Sequence, residues 1–337
     1  MSKFSLDVLN RRVFAYTRSA DPDVLLGAEF GEDAALTRVG GDILASHLDP
    51  IVGAVQEIGW LAVHVTCNDI AATGIPPRWI LPLVLVPRPE DEALLGEIMA
   101  DARRAADELG VSIIGGHTGY SAGLTRPLVA VTALGVAGGR RPVRTEGARI
   151  GDKVVVTKAI GLEGTAILAH DFADVALQLG LDTVTLDEAR ALMARISCVP
   201  EALALADSGA TSMHDVTRGG VLETLLEMAE LSGVMIEVDT ELLPLPPVIT
   251  RFAQAFGFDP LKMISSGTLA ATIPPDAEVE VRRRLDEIGV HAAVVGTVSE
   301  GSGVRVKSGT VETHYTESRC EEDELARLWL RYPRVTA

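Results

Sequence analysis

The stretch "MHDVTRGGVLETLLEMAE" (213–230) brings an imidazole, a carboxylate and a guanidinium to the entrance of a helix. Gly219 and Gly220 separate these side chains from the helix-like run that follows. Bare glycine amides at a helix N-terminus attract anions, because the unpaired N–H groups and the helix dipole both favour negative charge. Asp215 is therefore a candidate metal ligand and Arg218 a candidate phosphate ligand. The simpler alternative is a helix entry with a capping acid and a surface arginine.

Three further acids have similar surroundings. Asp33 lies in "FGEDAAL", Asp49 in "SHLDPIVG" and Asp69 in "CNDIAATG", each beside small or apolar residues where surface acids are uncommon. Each one taken alone is compatible with a turn or a cap. Four such acids on separate segments favour a site for Mg²⁺, which proteins hold with a few carboxylates and the phosphates of a substrate. The predicted metal ligands are Asp33, Asp49, Asp69 and Asp215.

Composition limits the classes of protein to consider. A chain of 337 residues with 47% apolar and 23% charged residues is typical of a folded protein with two domains. A net charge of −17 repels nucleic acids and anionic membrane surfaces. Cys67, Cys198 and Cys320 are far apart and form no CxxC pair, so neither a zinc site nor a disulfide framework is expected. Without a signal-peptide core or a membrane-length apolar run, we expect a cytoplasmic, soluble protein.

Periodicity predicts mixed α and β structure in both halves of the chain. In the first half, strands are predicted at 42–49, 78–86 and 126–137, a short strand that runs into a glycine turn at 111–118, and helices at 57–74 and 89–110. The glycine-rich, charged segment 138–152 is typical of a linker, which gives predicted domains of 1–145 and 150–337. In the second half, a strand, a helix and a strand from 265 to 300 have the connectivity of a split β-α-β layer.

Two other glycine-containing segments are candidates for the site. In "TKAIGLEGTA" (157–166), Gly161 and Gly164 open a helix after a strand that ends at Lys158. Lys158 could contact a phosphate, although a charged strand end is an equal alternative. In "IIGGHT" (113–118), His117 follows two glycines at a strand end, where α/β proteins often display functional side chains. Neither glycine pattern is specific on its own, because neither matches a P-loop or a dinucleotide fingerprint.

The motifs taken together resemble the aminoimidazole ribonucleotide (AIR) synthase superfamily. The resemblance is carried in order by "GEDAAL", "LDPIVG", "GWLAVHVTCNDIAATGIPPRW", "IIGGHT", "GDKVVVTKAIGLEGTAILA", "MHDVTRGGVLETLLEMAELSGVMIEVD" and "ISSGTLAATI", from about residue 27 to 300. That order is far more specific than any single glycine motif. The superfamily includes selenophosphate synthetase, thiamine monophosphate kinase and the hydrogenase maturation protein HypE, and the HypE-like branch is the most similar.

This resemblance implies an ATP-dependent enzyme. It implies a homodimer whose N-terminal domains share a β-barrel, beside a C-terminal split β-α-β domain, with ATP and Mg²⁺ in the cleft between domains. The chemistry implied is phosphorylation of an amide or carbonyl oxygen on a small or carrier-bound acceptor. By motif position the four acids bind metal, and His117 and Lys158 are the candidate catalytic residues. The predicted nucleotide-binding residues are Asn68, Gly115, Gly116, Gly161, Gly164, Thr217, Arg218, Gly219 and Gly220.

Two departures from HypE leave alternatives open. HypE carries its substrate on a C-terminal cysteine, whereas this chain ends "LARLWLRYPRVTA" and its last cysteine is Cys320. HypE has "GDTK" where this chain has "GGHT", so His117 could replace a metal ligand. One alternative is a hydrogenase maturation factor of the HypE type that works with a partner protein, and another is a family member that binds ATP without turnover.

Overall fold

The computed structural model describes residues 4–51, 57–317 and 323–332. Two seven-stranded sheets and the helices packed on them make up these residues. The α+β fold class predicted from the sequence is confirmed. Cys320 lies outside the described residues, whereas Cys67 and Cys198 are buried free thiols.

The first sheet forms from the N-terminal half in the order β1-β2-β3-β7-β4-β5, with β6 also paired to β4. Its strands are β1 (Val24–Leu26), β2 (Ala35–Val39), β3 (Asp42–Ile51), β4 (Pro77–Val86), β5 (Ser112–Ile113), β6 (His117–Tyr120) and β7 (Leu128–Val136). The helices are α1 (Leu6–Leu9), a π-helical turn (Asn10–Phe14), α2 (Ala15–Thr17), α3 (Ile58–Ala72) and α4 (Glu92–Leu109). Within the described strands this sheet is open, and they do not close into a barrel.

Helix α3 is the centre of the molecule. Every residue from Ile58 to Ala72 is buried, as expected for a helix that is apolar on all sides. It packs on β3 and β7 of the first sheet, on α4, and on the C-terminal half of the chain. Gly59 permits the approach of α4, since a Cβ atom there would lie 2.1 Å from the carbonyl oxygen of Ile98. A polar residue on α3 is therefore held rigidly between the two halves.

The second sheet has the order β14-β13-β10-β12-β8-β11-β9. Its strands are β8 (Lys153–Thr157), β9 (Ser212–Asp215), β10 (Met235–Asp239), β11 (Leu269–Ile273), β12 (Ala292–Ser299), β13 (Gly303–Ser308) and β14 (Val311–Tyr315). The helices are α5 (Leu162–Asp171), α6 (Ala173–Gln178), α7 (Thr183–Arg190), α8 (Val199–Asp207), α9 (Gly220–Ser232), α10 (Pro247–Phe256), α11 (Glu278–Glu287) and α12 (Glu324–Arg331). Strands β11 and β12 flank β8 and both run antiparallel to it, so β11-α11-β12 is the split β-α-β unit that the sequence predicts.

The segment 111–118 has the short strand and glycine turn that the sequence predicts. The two-residue β5 is followed by Gly115 and Gly116, and the chain then continues as β6. Gly116 has a φ of +143°, and a Cβ atom there would lie 2.2 Å from the carbonyl oxygen of Pro82. The chain bends at this glycine because its backbone crosses close to β4.

The predicted domain limits remain predictions, although a single core contains residues from both halves of the chain. In the part of the chain that is described, none of the helices has the length and apolar character needed to cross a membrane.

Candidate active site

A cavity of about 720 Å³ lies where the two halves of the chain meet. Its lining includes acidic residues of the loop before β2, of β3 and of α3, and residues of α5, of the turn before α9 and of α12. Apolar side chains complete the lining and include Leu61, Val65, Ile167, Ile264, Leu325 and Trp329. The cavity therefore combines charged and apolar groups, as ligand sites commonly do, and we call the part lined by Asp33, His47, Asp49 and Asp69 its charged end.

The four predicted metal ligands come together at the charged end. Asp33, Asp49 and Asp69 line the cavity, and Asp215 lies directly behind them at the end of β9. Burial and then the nearby carboxylates of Asp215, Asp49 and Asp33 raise the pKa of Asp69 well above its usual value. Burial also raises the pKa of Asp33 to about 7. A cluster of buried acids at this density requires a compensating positive charge.

Several oxygens of this cluster have no hydrogen-bond partner among the described residues. They are Asp33 Oδ2, Asp69 Oδ2 and both carboxylate oxygens of Asp215. Asp215 is fully buried, so water does not compensate it from outside. Buried polar groups are nearly always paired in proteins, and unpaired carboxylate oxygens that converge fit a bound cation. Asp33, Asp49, Asp69 and Asp215 thus have the chemistry that a divalent metal needs.

His214 lies inside this cluster and connects three acids. Its Nδ1 atom is 2.7 Å from Asp33 Oδ1 and 3.7 Å from Asp215 Oδ1, and its Nε2 atom is 2.8 Å from Glu227 Oε2. Burial alone would lower the pKa of His214, but the three carboxylates raise it well above its usual value. In the absence of a metal, an imidazolium therefore supplies part of the positive charge.

His47 is a second histidine at the charged end. It lies two residues before Asp49 on β3, so both side chains point to the same face of the strand. Its Nε2 atom is 3.6 Å from Asp69 Oδ2. Burial lowers the pKa of His47, against the opposing effect of the Asp215 carboxylate. A neutral imidazole is thus available at the cavity wall.

The turn of the opening motif also borders the cavity. Thr217 and Arg218 line the cavity, and Gly219 and Gly220 follow with φ angles of +81° and +66°. A Cβ atom on Gly220 would lie 2.5 Å from the carbonyl oxygen of Leu261, so this position requires glycine. The N-terminus of α9 has no side-chain cap.

A carboxylate already lies against this turn. The Gly219 N–H donates to Asp323 Oδ2 over 3.4 Å, and Asp323 also caps α12 by accepting from the Ala326 N–H. Glu163 faces the same region and accepts from the Ser266 N–H, while burial raises its pKa to about 7. These contacts demonstrate that the turn and its surroundings accept anionic oxygens.

Two predicted site residues have structural contacts outside the cavity. The Lys158 ammonium donates to the carbonyl oxygens of Arg195, Ser197 and Gly267 and lies 2.6 Å from Glu201 Oε1. These four contacts occupy the lysine completely. A phosphate would have to displace them, so the geometry does not favour a catalytic role for Lys158.

Asn68 also joins parts of the fold. Its Nδ2 donates to the carbonyl oxygen of Ile196 and its Oδ1 accepts from the Cys198 N–H, both over 2.8 Å. These bonds connect α3 to the segment before α8. The side chain is fully buried and does not line the cavity, so the structure gives it a role in joining the two halves.

The remaining glycines and His117 also lie away from the cavity lining. The start of α5 is satisfied within the protein, because the Leu162 N–H donates to Ser265 Oγ and the Gly164 N–H to the carbonyl oxygen of Ile264. Gly161 and Gly164 are thus buried packing positions. Gly115, Gly116 and His117 are exposed at the edge of the first sheet.

Several residues of the site carry little or no signal in the sequence. Glu227 could have been suspected, because Glu223 and Glu227 lie one turn apart within an otherwise apolar helix. His47 shares a strand face with Asp49, which the period of two predicts. Glu163 and Ser266 carry no such signal, since only the tertiary structure brings α5 and the segment before β11 together.

The comparisons with known proteins agree with this fold. The chain matches the N-terminal domain model of AIR synthase related protein over residues 31–137 and the C-terminal domain model over 149–309. Carbamoyl dehydratase HypE of Bradyrhizobium diazoefficiens is 30% identical over 259 residues, covering 74% of this chain and 71% of that protein. A solved HypE–HypF complex has a TM-score of 0.72 at 22% identity and covers 85% of this chain and 93% of that one. HypE in complex with ATP has a TM-score of 0.71 at 22% identity and covers 92% of each chain.

The solved structures establish the fold alone at these identities. The two family models lie on either side of the predicted linker and together cover most of the chain. The resemblance predicted from the motifs is therefore confirmed: the chain belongs to the AIR synthase-related family.

Proposed function

We propose that this protein transfers a phosphoryl group from ATP, with Mg²⁺, to an amide or carbonyl oxygen of a small or carrier-bound acceptor. The observation that carries the proposal is that Asp33, Asp49 and Asp69, with Asp215 buried beside them, meet the turn before α9 at one cavity. Phosphoryl transfer depends mostly on positioning and charge neutralisation, so such a site needs no protein nucleophile.

The charged end of the cavity suits the metal. Asp33, Asp49, Asp69 and Asp215 would hold a divalent cation, and the unpaired oxygens of Asp33, Asp69 and Asp215 support this assignment. The cation would neutralise the charge of the phosphates and orient them. The HypE relative solved in complex with ATP supports nucleotide binding by this fold.

The turn before α9 suits the phosphates. Thr217 and Arg218 line the cavity at the start of α9, and Gly219 and Gly220 keep the backbone free of side chains there. A nucleotide phosphate at this position would compete with the Asp323 carboxylate for the Gly219 N–H. Arg218 would hold a phosphate through its fork of donors. The apolar lining residues, among them Ile167 and Trp329, then remain for the base or the acceptor.

A second candidate is carbamoyl dehydration in hydrogenase maturation. It is favoured by the 30% identity to a carbamoyl dehydratase HypE, and a solved HypE is complexed with HypF. In that case the acceptor oxygen belongs to a carbamoyl group on a cysteine, either Cys320 or a cysteine of a partner protein. Mass spectrometry of this chain and of candidate partners after incubation with ATP would detect a carbamoyl or cyano adduct. The absence of adducts from all of them would exclude this candidate.

A homodimer is part of the proposal. Leu81, Leu83 and Leu85 on β4 are half-buried on the sheet face opposite α3 and α4, and Leu48 on β3 is 58% exposed. An apolar sheet face without cover among the described residues is typical of a subunit interface, and the resemblance to AIR synthases implies that two such sheets pair. Light scattering should give twice the chain mass, and Leu83→Glu should give the monomer. A monomeric wild-type protein would contradict this part.

Turnover is the test of the reaction. Purified protein is incubated with ATP, Mg²⁺ and a panel of amides and phosphorylatable metabolites, and ADP, AMP and phosphate are measured. Turnover with at least one acceptor, absent in Asp49→Asn, is the expected result. Protein that is folded and binds ATP but releases no ADP, AMP or phosphate with any acceptor would contradict the proposal.

A further inference from the structure

The charged end of the cavity contains one set of atoms that is arranged for a metal with a nitrogen ligand. Asp33, His214 and Asp215 each offer one donor atom, and these atoms all lie within 4.8 Å of one another. All three residues are at most 6% exposed. A single cation can therefore reach the two carboxylates and the imidazole at the same time.

His214 Nδ1 can bind such a cation when it releases the proton of the imidazolium, as histidine ligands do on metal binding. Although it is 2.7 Å from Asp33 Oδ1, their geometry makes no hydrogen bond, and Nδ1 has no other hydrogen-bond partner among the described residues. Both oxygens of Asp215 and Oδ2 of Asp33 are likewise unpaired. A buried nitrogen and three buried oxygens thus converge without a hydrogen bond to any described residue.

The other side of the imidazole is already fixed. His214 Nε2 lies 2.8 Å from Glu227 Oε2, inside the protein on the buried face of α9. Metal-bound histidines almost always donate their second N–H to a carboxylate, which fixes the tautomer and makes the free nitrogen more basic. The Glu227–His214 pair is this arrangement, with Nδ1 directed at Asp33 and Asp215.

We propose that His214 is a metal ligand through Nδ1, and that this site binds a first-row transition cation such as Mn²⁺ more tightly than Mg²⁺. The inference rests on the proposed function, because it concerns the metal that would accompany ATP. Mg²⁺ prefers oxygen ligands, whereas an imidazole shifts preference toward transition metals, and Mn²⁺ accepts carboxylates as well. Three protein donors leave coordination positions for water and phosphate oxygens.

His47 is the rival nitrogen ligand. Of the described histidines, only His47 and His214 line the cavity. His47 Nε2 is 3.6 Å from Asp69 Oδ2, but no buried carboxylate holds its other nitrogen in the way Glu227 holds His214. The two histidines therefore provide a matched pair of variants at one site.

The test is electron spin echo spectroscopy of Mn²⁺ bound to the nucleotide-free protein. We expect ¹⁴N modulation that changes to the ¹⁵N pattern when histidine is ¹⁵N-labelled. The modulation should persist in His47→Asn and disappear in His214→Asn, with Mn²⁺ affinity lower by about 100-fold. Glu227→Gln should keep the modulation while weakening Mn²⁺ by about 10- to 100-fold. Calorimetry should give Mn²⁺ at least about 10-fold tighter binding than Mg²⁺.

Each outcome decides the question. Bound Mn²⁺ without nitrogen modulation, or modulation lost in His47→Asn instead, overturns the inference. If His214→Asn does not fold, the labelled wild type and His47→Asn still decide it. ATP binding with Mg²⁺ is measured in parallel: nucleotide binding without nitrogen coordination leaves the proposed function standing and removes the inference. Nitrogen coordination in a protein that binds no nucleotide supports the inference and contradicts the proposed function.

Discussion

Asp69→Asn should stabilise the metal-free protein while removing its ability to bind metal. The substitution keeps the shape of the side chain and removes one negative charge that faces Asp215, Asp49 and Asp33 in a buried site. Burial and these neighbours raise the pKa of Asp69. The carboxylate therefore destabilises the folded protein. This loss of stability is absent below the ordinary pKa of an aspartate and grows as the pH rises above it. A buried charge without a compensating partner costs a protein several kcal/mol, so we expect this charge to cost on the order of 3 kcal/mol.

Urea unfolding in the presence of EDTA measures this effect. We expect Asp69→Asn to unfold with a free energy about 2–4 kcal/mol greater than wild type at pH 7.5, with the difference shrinking toward pH 4. Asp286→Asn, at an exposed acid of α11, is the matched control and should change stability by less than about 0.5 kcal/mol. Adding ATP and Mg²⁺ at about 100 times the Kd should stabilise wild type by about 2.7 kcal/mol and leave Asp69→Asn unchanged. A variant that is less stable than wild type in EDTA would refute the buried repulsive cluster.

Three further predictions follow from the site and its supports. Glu163→Gln keeps the acceptor for the Ser266 N–H but removes a carboxyl whose pKa burial raises from 4.5 to about 7. As the pH rises from 4.5 to 7, the free energy of unfolding of wild type should therefore fall by about 3 kcal/mol relative to that of the variant. Parallel pH profiles of unfolding for the two proteins would contradict this. Lys158→Met leaves Glu201 buried and unpaired, so urea unfolding should report a loss of about 3–5 kcal/mol, and unchanged stability with lost turnover would instead indicate a catalytic lysine. Gly220→Ala should destabilise the protein more than Gly233→Ala. Both glycines have left-handed φ angles, which cost an alanine about 1–2 kcal/mol, but only at Gly220 would the new Cβ atom also lie 2.5 Å from a backbone oxygen, that of Leu261. Equal losses of stability in the two variants would refute the close approach.

Local patterns predicted most of the fold. The apolar run of α3, the glycines that end the helices and the strand-helix-strand order of β11, α11 and β12 are all encoded within short windows of sequence. The candidate acids were also predictable, because Asp33, Asp49, Asp69 and Asp215 lie in segments too apolar for surface acids. That these acids share one site was predicted from the motif resemblance, because no local pattern shows how close two segments far apart in the sequence lie in the fold.

The partners of individual side chains could not be predicted. Lys158 follows the end of a strand, a position from which its side chain could face a ligand. Tertiary packing instead brings Glu201 and three carbonyl oxygens to its ammonium group. Asn68 next to Asp69 suggests a ligand, yet on a helix adjacent residues point about 100° apart, so one faces the cavity and the other faces the segment before α8. His214 was noticed without a role, because its partners Asp33 and Glu227 lie on other elements of the fold.

Calorimetric titration of ATP into wild type and Asp215→Asn, in Mg²⁺ and in EDTA, tests the central claim most directly. If the carboxylates hold a cation against the triphosphate, wild type should bind ATP tightly only with the cation, and Asp215→Asn should bind at least about 100-fold more weakly in Mg²⁺. Equal ATP affinity in Mg²⁺ and EDTA, or in the two proteins, would contradict the claim that these acids form the metal site of the enzyme.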